Sequence, residues 1–173
     1  MTRFSFVLVV ILVAAAFFIG IGIGSRYRIA PVEEAIDQAS ISAITASPGF
    51  IEAETSIQGN TVSLKNGCRL IQFEVTPDQA YSIATGLANT SSQRPLTHDI
   101  FREALDNYDV HVLRINIDRF EEEIYKATIY FRRGNSVLAL DARPSDSIAL
   151  AGRYGIPLYI KGSILEEKGQ KIC

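Results

Sequence analysis

Hydrophobic and polar residues alternate in the segment that begins at Phe50, a pattern typical of strands with one buried face. The run FIEAETSIQGNTVSLKNGCRLIQFEVT contains the turn signals Gln58-Gly59-Asn60 and Asn66-Gly67, which divide it into three strands. Similar alternation predicts further strands at VHVLRINID, EIYKATIYFRR, SVLALDA and PLYI. The pattern therefore predicts a β-meander followed by a second group of strands.

Helical spacing of apolar residues appears in three other stretches. The first, PDQAYSIATGLAN, starts at Pro77 and repeats its apolar residues every three or four positions. The second runs from Thr97 to Tyr108, and the third covers residues 145–154 and stops at Gly155. Helices thus fall between groups of strands, which indicates an α+β fold.

The apolar run near the start of the chain is of another kind. From Phe4 to Ile23, twenty residues carry no charge, about the length that crosses a hydrocarbon core of roughly 30 Å. A cleaved signal peptide is the alternative, but its apolar region usually has only about 7 to 15 residues, and here Arg26 and Arg28 follow the run. We therefore expect a single-pass transmembrane anchor through residues 4–23. The charges flanking it nearly balance, so the sequence does not choose the side of the membrane on which the rest of the chain lies.

These patterns divide the chain into four parts. We expect an N-terminal transmembrane anchor over residues 1–25, a linker over 26–48, a folded domain over 49–168 and a tail over 169–173. The expected fold of the domain is α+β, with a mixed β-sheet in the order β-meander, helix, helix, β-strands, helix, strand, and with the helices packed on that sheet. One transmembrane helix precedes it.

The charge of the chain beyond residue 30 restricts its partners. That part has 14 Lys and Arg against 19 Asp and Glu, a net charge of −5. Tight binding to nucleic acid relies on several phosphate contacts from basic side chains, so such binding would need a local basic patch or a bound cation. The strand EIYKATIYFRR offers one: Tyr125, Ala127, Ile129 and Phe131 would point inward, leaving a basic and aromatic outer face that Arg114 would share. The alternative is an ordinary solvated sheet face.

The two cysteines are Cys68, beside an expected turn, and Cys173, the last residue. Their spacing matches no metal site, and the sequence favours two unrelated thiols over a disulfide without excluding the bond.

Two helix entrances carry more charge than helix capping requires. RPLTHDIF places Arg94, His98 and Asp99 at the start of the second helix, with Thr97 as the expected N-cap. DARPSDSIAL places Asp141, Arg143 and Asp146 at the start of the third helix, with Ser145 as the expected N-cap. Capping and structural salt bridges account for the acids in the first turns. Asp141 and Arg143 precede the helix, however, at a junction of strand and helix, where α/β proteins bind anions such as phosphate.

RPLTHDIF, followed by DARPSDSIALAGRYGIPLYI, resembles the bifunctional nuclease domain family, small α+β proteins of bacteria, archaea and plants. The resemblance covers about residues 50–168. It implies a nuclease that acts on DNA and RNA and forms a homodimer. Two departures are Gln79-Ala80, where the family usually has Glu-Ala, and KGSILEEKG, where the family has an acidic tail.

The resemblance suggests roles for the charged residues of the two motifs. Phosphodiester hydrolysis needs an activated water and a stabilised phosphate, and carboxylates commonly hold Mg²⁺ or Mn²⁺ for this purpose. We expect Asp99, Asp141 and Asp146 to be the metal ligands and His98 to be the general base or acid. Arg94 and Arg143 would bind the substrate phosphate. This hypothesis requires the two helix entrances to lie within about 10 Å of each other.

The alternative function is a non-catalytic, dimeric, membrane-tethered binding or scaffold module. The negative charge of the domain and the capping roles of the acids favour it. The sequence shows no glycine-rich phosphate loop, dinucleotide fingerprint, serine elbow or Cys/His metal spacing that would indicate another enzyme class.

Overall fold

The computed structural model of the protein describes residues 38–90 and 92–173. The helices are α1 (Gln38–Ala46), α2 (Pro77–Leu87), α3 (Thr97–Asn107), α4 (Pro144–Tyr154) and α5 (Gly162–Lys168). The strands are β1 (Phe50–Gln58), β2 (Thr61–Asn66), β3 (Arg69–Glu74), β4 (His111–Glu121), β5 (Ile124–Arg133), β6 (Ser136–Ala142), β7 (Leu158–Lys161) and β8 (Gln170–Lys171). The predicted membrane span at residues 4–23 lies outside the described residues. Within them, no helix combines the length and the apolar character needed to cross a membrane.

The strands form one mixed sheet in the order β6-β5-β4-β7-β1-β2-β3-β8. Neighbouring strands are antiparallel except β4 and β7, which pair in parallel. The segment β5-β6-α4 provides the long connection that a parallel pair requires. The α+β fold with a mixed sheet is therefore confirmed, as is the β-meander β1-β2-β3.

The turns of the meander lie where the sequence placed them. Gln58 pairs with Thr61 across the first turn, and Asn66 pairs with Arg69 across the second. Gly59 and Gly67 have φ angles of 58° and 54°, a left-handed conformation that glycine adopts without steric strain.

One face of the sheet packs against α4 to form the core. Ile115 and Ile117 of β4 and Ala127 of β5 are fully buried, and Ile148 and Leu150 of α4 are 1% exposed. Burying each of the larger side chains contributes about 1.5–3 kcal/mol. In β5, Ile129 and Phe131 are also buried, so the predicted inward set is confirmed apart from Tyr125, which is half-buried.

Helices α2 and α4 approach each other through two glycines. A Cβ atom on Gly152 of α4 would lie 2.6 Å from the backbone carbon of Gly86 in α2, and one on Gly86 would lie 2.8 Å from the carbonyl oxygen of Ala149. Only glycine therefore permits this spacing. The close packing holds α2 against the middle and the C-terminal half of α4.

The helix starts differ from the predicted ones in detail. Leu96 and Arg143, not Thr97 and Ser145, are the N-cap residues of α3 and α4, and neither caps through its side chain. Helix α3 is capped instead by Asp99, whose Oδ2 accepts a hydrogen bond of 2.7 Å from the Leu96 N–H. Pro144 is the first residue of α4, which suits its fixed φ angle and missing N–H, and this shifts the helix start one residue ahead of Ser145.

Residues 169–173, expected as a tail, are joined to the sheet. After α5 the chain adds β8, which pairs antiparallel with β3. Cys68 and Cys173 form a disulfide whose Cα atoms are 5.2 Å apart. The preference for two unrelated thiols was wrong, because β8 brings the C-terminus beside the turn that contains Cys68.

Candidate functional site

The two charged helix entrances open onto one cavity of about 610 Å³. Its walls come from α2, the start of α3, strands β5 and β6, and the first turns of α4. The polar side chains that face it include Ser82, His98, Asp141, Arg143 and Asp146. The rest of the lining is mainly apolar. The two motifs are therefore neighbours in space, as the nuclease hypothesis required.

His98 links three helices through its ring. Its Nδ1 lies 2.9 Å from the Ser82 hydroxyl oxygen of α2, and its Nε2 lies 3.4 Å from Asp146 Oδ1 of α4. A carboxylate at Nε2 favours the tautomer with its proton on that nitrogen, which leaves Nδ1 to accept from the Ser82 hydroxyl. Burial lowers the pKa of His98 below its ordinary value and outweighs the opposing effect of the Asp146 charge. The ring is therefore neutral at pH 7 and able to accept a proton.

Arg143 and Asp146 form the charged rim of the cavity. Arg143 Nε and Nη2 donate to the two Asp146 oxygens at 2.8 and 3.1 Å, a bidentate pair within the first turn of α4. The Arg143 side chain is 69% exposed, so its guanidinium is accessible from solvent. Because the N-terminal N–H groups of α4 lie beside it, this corner of the cavity favours an anion such as a phosphate.

Asp99 has a different environment from the other motif acids. Arg153 Nε donates to Asp99 Oδ1 at 2.6 Å, and the Leu96 N–H binds the other oxygen. Burial by itself would raise the pKa of Asp99, but these hydrogen bonds outweigh it and lower the pKa. Asp99 lines a neighbouring polar cavity of about 500 Å³ together with Arg153. Its contacts are those of a residue that holds the start of α3 in place.

Asp141 and Arg94 lie at the margins of the arrangement. Asp141, on β6, pairs with Arg119 Nη2 at 2.5 Å and lines the cavity with a side chain that is 71% exposed. Arg94 is exposed in the loop before α3, and it is not among the described residues that line this cavity. The roles predicted for both side chains remain predictions.

The three predicted metal ligands do not surround one point. Asp99 faces the neighbouring cavity, while Asp141 and Asp146 line the one that contains His98. Across residues 38–90 and 92–173, no three or more His, Cys, Asp or Glu side chains are grouped so that they could hold a metal ion. The donor set therefore does not fit a site of three carboxylates.

Sequence reasoning missed two residues that shape the site. Ser82 lies in the middle of α2, and its contact with His98 spans sixteen positions that no local pattern connects. Arg153 is buried and donates to the carbonyl oxygens of Ser82 and Ala149, both at 2.9 Å, as well as to Asp99. Its position in the last turn of α4 suggests a simple helix-end cation, and only the packing shows that it connects α2, α3 and α4.

The outer face of the sheet does not present Arg114 to a ligand. Arg114 is 6% exposed, stacks on the Tyr159 ring at 3.6 Å from its centroid, and donates to the Thr45 carbonyl oxygen of α1. This side chain therefore links α1 to the sheet. Because it is buried and its N–H groups donate to neighbouring residues, its guanidinium is not accessible to a ligand.

Comparison with known proteins identifies relatives and a family for this chain. The chain is 31% identical over 104 residues to two uncharacterized proteins of Mycobacterium tuberculosis, one from strain CDC 1551 / Oshkosh and one from strain H37Rv. The match covers 60% of this chain and 62% of each relative, so it spans less than two thirds of the relatives' own length. A family model, that of the bifunctional nuclease domain, matches residues 63–172. This range is more than half of the chain and includes both motifs, so the chain belongs to the bifunctional nuclease domain family.

Proposed function

We propose that this protein is a nuclease that hydrolyses phosphodiester bonds of DNA, RNA or both, and that residues 4–23 anchor it in a membrane. One observation carries the proposal: two motifs far apart in the chain meet at one cavity, where His98 Nε2 lies 3.4 Å from Asp146 Oδ1 and Arg143 pairs with the same carboxylate. Helix capping requires neither contact. Membership of the family supports a nuclease-like or nucleic-acid-binding function.

The phosphate-binding role falls to Arg143 and the first turn of α4. The guanidinium presents a planar fork of donors, and the N–H groups of the helix start add further donors together with the favourable end of the helix dipole. Asp146 now occupies that fork, so a substrate phosphate would share or replace it.

The proton-transfer role falls to His98. Its lowered pKa keeps the ring neutral at pH 7, so it acts as a general base toward the attacking water. Asp146 then stabilises the protonated ring, and Ser82 holds the ring orientation from the other side.

The divalent cation predicted from the sequence, Mg²⁺ or Mn²⁺, would be held by Asp141 and Asp146 together with oxygens of the substrate phosphate. Both carboxylates line the cavity, and Mg²⁺ is commonly bound through only one or two carboxylates with water and phosphate completing its shell. When bound, such an ion supplies charge stabilisation at the phosphate and lowers the pKa of water. Asp99 is not part of this set.

The alternative, a non-catalytic dimeric module that binds anions, is favoured by one observation. Asp99, Asp141 and Asp146 each pair with an arginine, as structural salt bridges do. On this alternative the protein would bind nucleic acid or a partner without cleaving it, and EDTA would have no effect on that binding.

The deciding experiment measures cleavage of single-stranded DNA and RNA by the purified full-length chain, with Mg²⁺, with Mn²⁺ and with EDTA. We expect metal-dependent cleavage, and we expect His98→Ala to lose about 100-fold or more in rate, the usual contribution of a general base. The matched control is His111→Ala, because His111 is exposed and pairs only with Asp109 in the described contacts. Circular dichroism would show that both variants fold. Binding without cleavage would favour the alternative, and equal cleavage by both variants would contradict the role of His98.

A further inference from the structure

We propose that the apolar half of the cavity is a subsite for one unpaired nucleobase, belonging to the nucleotide whose phosphate lies at Arg143. The inference rests on the proposed function, and it adds a substrate class: single-stranded nucleic acid in preference to duplex.

The first observation is the exposure of large apolar side chains inside the cavity. Tyr81 of α2, Phe101 of α3 and Leu140 of β6 all line it, and they are 53%, 40% and 41% exposed. Leaving such side chains open to water forgoes the free energy that their burial would contribute. Grouped beside polar residues in a concave site, they are typical of a ligand-binding surface.

The second observation is the fixed position of one aromatic ring. Phe101 packs nearly perpendicular to the buried Phe131, with an interplanar angle of 79° and ring centroids 6.0 Å apart. This edge contact is a favourable aromatic geometry, and it holds the Phe101 ring while leaving it part-exposed to the cavity. A preordered aromatic ring is the surface on which unpaired bases stack in proteins that bind single strands.

The third observation is the combination of charge and apolar surface in one cavity. Arg143 and the start of α4 favour a phosphate, while Tyr81, Phe101 and Leu140 favour a flat, largely apolar group. A nucleotide carries both groups on one ribose, and the volume of about 610 Å³ lies within the range of small-molecule sites. In a duplex the bases are stacked and paired, so a base reaches such a subsite only from a single strand or after being extruded.

The test compares three fluorescein-labelled oligonucleotides of equal length: a single strand, the corresponding duplex, and a single strand whose sugars carry no bases. Dissociation constants for the full-length chain are measured by fluorescence anisotropy in EDTA, so that binding is separated from cleavage. We expect the normal single strand to bind about 5- to 150-fold more tightly than the strand without bases, the factor contributed by stacking of one base. The duplex should also bind more weakly than the single strand.

Two variants assign the effect to the subsite. Phe101→Ala and Tyr81→Ala should weaken binding of the normal strand by about fivefold or more and leave binding of the strand without bases unchanged. Tyr108→Ala is the matched control, because Tyr108 is 68% exposed and is not among the described residues that line the cavity. Arg143→Ala should weaken binding of all three oligonucleotides, since each carries phosphates.

The outcomes separate this inference from the proposed function. Equal binding of strands with and without bases, alongside metal-dependent cleavage, would overturn the base subsite and leave the nuclease proposal intact. Binding that depends on bases, without cleavage under any metal condition, would support the subsite and overturn the nuclease proposal. If none of the oligonucleotides binds and none is cleaved under any metal condition, both are overturned.

Discussion

The imidazole of His98 and the carboxylate of Asp146 face each other across two helices, with Nε2 and Oδ1 3.4 Å apart. The two residues lie in the first turns of different helices, α3 and α4, and their side chains are 19% and 31% exposed. Electrostatic coupling at this distance is substantial because both groups are partly shielded from water. The contact is the point at which the two charged motifs become one site.

This contact predicts how Asp146→Asn will change the pKa of His98. The charge of Asp146 and its hydrogen bond raise the His98 pKa against the larger lowering by burial, so removing the charge should lower the pKa further. A nuclear magnetic resonance titration of the His98 imidazole signals in the wild type and the variant would measure it. If His98 is the general base, the rate rises with pH through its pKa, and the variant should move that rise to lower pH. An unchanged or raised His98 pKa would contradict the coupling.

Arg153 predicts a large loss of stability when it is replaced. Its side chain is 4% exposed and donates to Asp99 and to the carbonyl oxygens of Ser82 and Ala149. Arg153→Met would remove these hydrogen bonds and leave the Asp99 carboxylate without its cationic partner, and losing one partner of a buried ion pair destabilises by about 3–5 kcal/mol. Urea unfolding measures the change.

The control for Arg153 is Arg132→Met, since Arg132 donates to the Gly134 carbonyl oxygen at an exposed turn. We expect its effect to stay within about 0.5 kcal/mol. Equal effects of the two substitutions would show that Arg153 does not connect the helices as described.

The close approach of α2 and α4 predicts that Gly152→Ala separates them. The new methyl group would lie 2.6 Å and 2.7 Å from backbone atoms of Gly86 and Leu87, which cannot move without shifting α2. We expect a loss of about 1–3 kcal/mol in the free energy of unfolding. The proposed nuclease activity should fall as well, because α2 carries Ser82 and α4 carries Asp146.

A milder contact provides the comparison for Gly152. A Cβ on Gly162 would lie 3.3 Å from the Gly49 carbonyl oxygen, so Gly162→Ala should cost less than about 1 kcal/mol and leave activity unchanged. Wild-type stability and activity in Gly152→Ala would mean that the helices can separate freely.

The disulfide between Cys68 and Cys173 predicts a response to reductant. The bond joins residues 105 positions apart, and crosslinks of this kind typically stabilise by about 2–4 kcal/mol because they restrict the unfolded chain. Guanidinium unfolding with and without dithiothreitol would measure the difference. A double variant, Cys68→Ser with Cys173→Ser, should match the reduced protein and show no response to dithiothreitol. If reduction leaves the unfolding midpoint of the wild type unchanged, the bond is not stabilising.

Local patterns in the sequence were sufficient to predict the elements that have a regular apolar and polar repeat and end at a glycine. The meander followed from alternation interrupted at Gly59 and Gly67, and the end of α4 followed from Gly155, whose φ of 61° is left-handed. The short elements α5 and β8 were not predicted, because their seven and two residues are too few to show a periodic pattern.

The sequence by itself determined the fold class, the family and the charged residues that are candidates for the functional site. It could do so because periodicity and motifs are local properties of the chain. Only the tertiary structure decided which of those residues line the cavity and which form structural salt bridges. His98 and Asp146 meet in the apolar-walled cavity, whereas Asp99, next to His98 in the chain, faces Arg153. Successive residues on a helix point about 100° apart. Which of them enters a site therefore depends on what packs against each face, and that is set by contacts such as Gly86 with Gly152 that lie far apart in the sequence.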